Sequence, residues 1–191
     1  MICVTIHEVS HGVVALRCGD TTALNAGRLT LNPLKHIDPM GTVILPLFLI
    51  LFHLPVFGWA KPVPINPARM RHPKQDILWV GIAGPISNFL CAASAAVLLK
   101  IISGNAWPPL LADLTRTFIV MNLILGVFNL IPVPPLDGSR ILIGLLPPAA
   151  ARFLLVMEKW GILIVLLLIS LGWIDRFLWP LVAALAKVLG L

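Results

Sequence analysis

Residues 7–11 read His-Glu-Val-Ser-His. On a helix, positions i and i+4 share a face, so His7 and His11 project together. Two imidazoles at that spacing are the nitrogen pair one metal ion requires, with Glu8 beside them as a base rather than a ligand. A catalytic zinc takes three protein ligands and keeps a fourth position for water. It lowers that water's pKa to about 7, and an adjacent carboxylate can take the proton and pass it to a leaving amine. The chemistry on offer is metal-assisted hydrolysis, and zinc is the expected cofactor. The plain alternative is that each histidine is a packed, hydrogen-bonded side chain. The setting weighs against it, because an ionisable residue at a bilayer centre costs at least about 2.5–3.5 kcal/mol. His7, Glu8 and His11 crowd into one apolar stretch, and coordination offsets that cost.

A third ligand must come from elsewhere. The metzincin pattern would place a glycine and a histidine at positions 14 and 17, where this chain has Val14 and Arg17. Asp20, Asp38 and Asp113 fall in polar connectors, and Asp76 stands where a helix cap belongs. Glu158 is expected to pair with Lys159 or Arg152, and Asp175 with Arg176. Asp137 differs: it follows a long uncharged run and the proline-broken NLIPVPPL, and Gly138 comes next. Non-helical backbone at membrane depth is tolerated where it is buried in protein or lines a wet cavity. Asp137 is therefore the leading candidate, the other reading being a cap on a helix starting at Ser139. His36 and His53 are weaker rivals.

These residues need elements to hold them. The chain has 191 residues, 59% hydrophobic and 12% charged, with mean hydropathy +0.98. A soluble domain carries about 25% charged residues. Residues 41–60, 77–99 and 117–136 contain no Asp, Glu, Lys or Arg, and 160–174 is a shorter apolar run. About 20 apolar residues span a bilayer as helix. The expected fold is an all-α integral membrane protein, a polytopic helical bundle forming one domain over residues 1–191. Residues 1–17 should form the helix that carries HEVSH. Residues 18–40 should be a connector with a short extended or β-like piece around AGRLTLNP. Residues 58–75 hold four prolines and should be extended or turned. Residues 103–113 should be a turn, the fourth span should start near 114 and break near 129, and a last span should start near 153.

The scattered Cys3, Cys18 and Cys91 fit neither a disulfide framework nor a thiolate zinc site. The net charge of +6 comes without a dense basic run interleaved with aromatics, so nucleic acid is not an expected partner. The lipid bilayer is. Lys and Arg divide evenly between alternate loops, which gives no orientation. The first residues lack the basic region of a signal peptide.

Taken in order, HEVSHG, AGRLTLNP, HIDPMG, FGWAKPVPINP, AGPISN and NLIPVPPLDG resemble the site-2 protease family of intramembrane zinc metalloproteases, in its compact prokaryotic branch without a PDZ domain. The resemblance covers roughly residues 1–145. It implies one zinc per chain bound by His7, His11 and Asp137, Glu8 as general base, and a transmembrane protein segment as substrate. It also implies a substrate contact at Asn129, before the prolines, and a further one at Asn88 in the GPxxN pattern. Both asparagines have a plainer reading as hydrogen bonds between helices. The family carries an apolar helix ahead of its HExxH helix, whereas MICVTI alone precedes His7. The pattern therefore expects a span upstream of residue 1.

Two other functions compete. Intramembrane His and Asp with broken helices also mark transporters, but the chain shows no inverted repeat and transport gives Glu8 no role. A pseudoenzyme that binds membrane proteins without cutting them would not need the intact motif set.

Overall fold

The computed structural model describes residues 1–53, 56, 58–103 and 107–191. Helix α1 (Ile2–Arg17) carries HEVSH and turns its His7, His11, Gly12 and Ala15 inward. It stops at Cys18 and Gly19, where the glycine takes φ +106°, a conformation that costs other residues a steric clash. A connector follows, with a helical turn at Thr22–Asn25 and a 3-10 turn at Pro33–His36.

Helix α2 (Pro39–Leu51) begins where Asp38 accepts the amides of Met40 and Gly41. The apolar run 41–60 was expected to be one full-length span, and the structure departs from this. The helix ends at Leu51, His53 takes φ +53°, and the Trp59 amide returns to the Gly41 carbonyl at 3.1 Å. The chain doubles back instead of crossing; residues 54, 55 and 57 of that run lie outside the described residues.

The returning segment runs beside the connector, with Lys61 donating its amide to the His36 carbonyl at 2.9 Å. Among the described residues no strand forms. Pro62 and Pro64 lack the amide hydrogens a ladder needs, so the β-like piece stays extended and unpaired. A 3-10 turn at Pro67–Arg69 leads into the next helix.

Helix α3 (Pro73–Ser103) is the hub, packed against α1, α4 and α5. Helix α4 (Pro109–Asn129) starts earlier than position 114 because Pro109 is pre-set for a first helical turn. The expected turn at 103–113 is thus shorter, with 104–106 outside the described residues. The proline break follows α4, then α5 (Asp137–Leu145), α6 (Pro148–Ser170) and α7 (Trp179–Leu189). Ala92, Ala95 and Ala96 of α3 meet Ile119, Leu123 and Val127 of α4 and Val182 of α7. Small residues of this kind let membrane helices approach closely.

Three helices, α3, α4 and α6, are long and apolar enough to cross a membrane. Only 6% of the most apolar stretch of α6 is buried. Phe153, Leu163 and Leu167 point outward from it, as in a helix solvated by lipid. The chain is an all-helical, multi-pass membrane protein.

Candidate metal centre

The middle of α1 and the start of α5 meet across α3. His7 Nε2 lies 3.0 Å from Asp137 Oδ2, and His11 Nε2 lies 3.1 Å from the same oxygen. The two Nε2 atoms are 3.0 Å apart. All three side chains are buried, and among the described residues they are the one group of three or more His, Cys, Asp or Glu placed to share a metal ion.

The outer ring nitrogens fix the tautomers. His11 Nδ1 donates to the Val80 carbonyl at 2.6 Å, and His7 Nδ1 donates to Asn88 Oδ1 at 2.6 Å. Both acceptors take a proton, so in the neutral rings both Nε2 atoms are left as lone pairs. Asp137 Oδ1 accepts from Arg140 Nη1 at 3.1 Å, which turns Oδ2 toward the histidines. With both rings neutral, three electron-pair donors then face one another. That arrangement is repulsive until a cation joins it. Ligand atoms on a tetrahedral zinc, with bonds of about 2.0–2.2 Å, stand roughly 3.3 Å apart. The observed triangle is close to that spacing, so the donor set fits zinc.

Several local features build the triangle. Gly84 of α3 faces both rings: a Cβ there would overlap His11 Nε2 and His7 Cε1. Pro85 cannot donate to the carbonyl one turn back, and the neighbouring Val80 carbonyl serves His11. At α5, a Cβ on Gly138 would strike the Leu130 and Ile131 carbonyls, and one on Gly161 of α6 would strike Pro134. Those two glycines let α5 and α6 close on the proline break, whose Pro134–Pro135 bond is cis. The break is held by short turns, Leu136 donating to Val133 and Ser139 to Leu136. Asp137 is the first residue of α5, and its side chain caps nothing.

Glu8 is half-buried, and its Oε2 accepts the Val63 amide at 2.8 Å. The Pro-rich segment is itself pinned, by Arg28 donating to the Lys61 carbonyl at 2.7 Å and by Asn66 donating to Asp20 Oδ2 at 2.6 Å. Asn129, half-buried at the end of α4, donates one amide hydrogen to Leu125 at 3.0 Å. Asn88, for which the sequence leaves a substrate contact and a hydrogen bond between helices both open, lies wholly buried behind His7. Its oxygen serves the ring, and its nitrogen donates to Asn122 Oδ1 at 2.8 Å and to the Cys3 carbonyl at 3.3 Å.

The rival ligands are elsewhere. His36 is buried in the connector on the Thr30 carbonyl, and His53 sits in the turn after α2. Asp76 reaches back to the His72 amide, and Asp113 pairs with Arg116. Among the described residues Glu158 and Asp175 form no ion pair with the cations beside them. A cavity of about 670 Å³ opens next to the centre, bounded by Pro134, Pro135, Ser139 and Arg140 and by Lys74 and Arg152. The triad itself does not line it.

The sequence reading missed Asn122, Gly84 as the space for the rings, and the Val80 carbonyl. A carbonyl leaves no trace in residue type. Asn122 did leave one, as a strongly polar side chain inside the uncharged run 117–136.

Comparison with known proteins adds the lineage. The model of peptidase family M50 matches residues 99–170. The Bacillus subtilis protein "Putative zinc metalloprotease YwhC" is 39% identical over 186 residues, covering 94% of this chain and 82% of its own length. "Putative zinc metalloprotease Rip2" of Mycolicibacterium smegmatis is 32% identical over 180 residues, covering 93% of this chain and 67% of its own length. "Zinc metalloprotease MJ0392" of Methanocaldococcus jannaschii is 38% identical over 84 residues, 42% of this chain and 23% of that protein. No solved structure matches the chain. Fold and relatives together define a class, the membrane metalloprotease. The chain belongs to peptidase family M50, the site-2 protease family.

Proposed function

We propose that residues 1–191 form one intramembrane protease domain that binds a single zinc ion through His7, His11 and Asp137 and hydrolyses a peptide bond in a transmembrane substrate segment. The observation that carries the reading is the buried triangle of Nε2, Nε2 and Oδ2 atoms at 3.0–3.1 Å, with each outer Nδ1 set on an oxygen acceptor.

Bound zinc supplies a Lewis acid and an acidified water at neutral pH. Glu8 accepts the proton of the attacking water as its oxygen bonds to the scissile carbonyl carbon. The carbon–nitrogen bond then breaks, and Glu8 returns the proton to the leaving amine. The Val63 amide aims the Glu8 carboxylate, and Arg140 keeps Asp137 Oδ2 turned inward. A substrate helix must unwind first, because its peptide bonds are shielded by their own hydrogen bonds. The non-helical backbone between Asn129 and Asp137, with the remaining amide hydrogen of Asn129, offers replacement partners, as strand addition does in other complexes.

The test is zinc content with cleavage of a transmembrane reporter, in detergent-purified protein. About one zinc per chain is expected in the wild type and far less in Asp137→Ala. Glu8→Gln should keep its zinc and lose cleavage by roughly 10²–10⁴-fold, the range of general-base effects. Equal cleavage by a zinc-loaded Glu8→Gln variant would sink the assignment of Glu8.

A further inference from the structure

His11 and His7 are oriented by different means. His11 rests on a backbone carbonyl, which can only accept. His7 rests on Asn88, an amide that presents either an oxygen or a nitrogen depending on which way it is turned. If Asn88 were flipped, its nitrogen would face His7 Nδ1, and the ring proton would have to sit on Nε2, the atom facing Asp137. Something must hold Asn88 the right way round.

We infer that Asn122, which touches neither His7 nor Asp137 in any hydrogen bond described above, is the positioning residue that does so. Two buried amides in series hold His7 with Nδ1 protonated and Nε2 free. The inference rests on the reading of His7 as a metal ligand and adds how that ligand is made ready.

The relay starts from a fixed point. The Phe118 carbonyl accepts from Asn122 Nδ2 at 2.8 Å, and Cys3 Sγ lies 3.3 Å from the same nitrogen. A backbone carbonyl cannot donate, so the nitrogen of Asn122 must face Phe118 and its oxygen must face α3. That oxygen accepts from Asn88 Nδ2 at 2.8 Å, and the Cys3 carbonyl accepts from the same nitrogen at 3.3 Å. Flipping Asn88 would set its oxygen against two acceptors. Its oxygen therefore faces His7 and takes the Nδ1 proton at 2.6 Å. Asn88 and Asn122 are both 0% exposed, so water cannot substitute for either partner, and an unpaired buried amide group is costly. Each step crosses between helices: α4 orients α3, and α3 orients α1.

The experiment uses the full-length protein in detergent with ¹⁵N-labelled histidine. Imidazole nitrogen shifts of metal-free wild type and Asn122→Leu, followed up to a pH at which the rings are neutral, give the tautomers, and competition with a chelator gives zinc affinity. His7 in the wild type should be the Nδ1–H tautomer. In Asn122→Leu it should become a mixture, with His11 unchanged as the internal control, and zinc affinity should fall roughly 10–100-fold, the range for losing an outer-shell partner. A merely structural role for Asn122 would disturb both histidines or neither. His7→Ala separates the two levels: if zinc binding survives it, the metal assignment itself fails. If His7→Ala abolishes binding while Asn122→Leu keeps wild-type affinity and the Nδ1–H signal, the relay is overturned. Should Asn122→Leu fail to fold, the wild-type spectrum still decides, because an Nε2–H signal for His7 contradicts the relay outright.

Discussion

A methyl group on Gly84 would overlap His11 Nε2 and His7 Cε1, and neither ring can retreat. His11 is tied to Val80 and His7 to Asn88. Gly84→Ala should therefore fold and lose zinc, an overpacking effect of about 1–3 kcal/mol concentrated on the ligand atoms. Zinc titration beside a melting curve checks this: normal zinc affinity in the variant would mean that the rings have room to shift. At this scale much was legible. The i, i+4 pairing named His7 and His11 because helix geometry alone puts them together, and Asp137 stood out as a carboxylate behind a broken backbone. For Asn88 the resemblance implies a substrate contact beside a plainer hydrogen bond between helices, and residue type alone does not choose between them. Which group it meets depends on the packing of α3 against α1, and no spacing encodes that.

Among the elements, the proline break and the doubled-back connector carry the tests. Gly161 lets α6 lie on Pro134, three residues ahead of Asp137. Gly161→Val should push α6 off the break and displace the Asp137 carboxylate, lowering zinc content and cleavage together by tenfold or more, since about 1.4 kcal/mol corresponds to a factor of ten. Loss of cleavage with zinc content intact would place the effect on substrate rather than on the ligand. The connector has a different sensitivity. Burial pushes the Asp20 carboxyl up, but hydrogen bonds from the Asn66 amide and from the Thr22 hydroxyl and amide outweigh it and hold it below the usual carboxylate range. A depressed carboxyl contributes stability above its unfolded pKa of about 3.9, and the contribution is lost as pH falls through the lower folded value. The Asn66 amide, which Asp20 accepts, should stay protected from hydrogen exchange between pH 7 and 5 and open as pH falls below about 3.9, whereas Asp20→Asn should show no such acid step. The helices from α3 to α6 were readable from uncharged runs and prolines. The turn-back after α2 was not, because an apolar run of crossing length looks the same whether the chain passes through or returns. The Trp59–Gly41 contact that decides it is visible only in three dimensions.

For the molecule as a whole, the proposed ion joins α1 to α5 across α3. An ion that binds only the folded form adds about 4 kcal/mol when free metal stands a thousandfold above its dissociation constant. Chelation should thus lower the melting temperature by several degrees in wild type and leave Asp137→Ala unmoved; a metal-insensitive wild type would argue that the helices need no ion to stay together. The long register of α3 carries one more consequence. The uncharged stretch of that helix opens at Ile77, and the rings pack on Gly84. Seven helical residues rise about 10 Å, roughly a third of a 30 Å hydrocarbon core. On the proposed reading a substrate is severed off-centre, nearer the face that carries the Pro-rich segment. The two stumps then differ in greasiness: the short one keeps about two turns of apolar helix, too few to stay anchored, while the long one stays dissolved in lipid. Proteolysis would set free the fragment on one side of the membrane and strand the other.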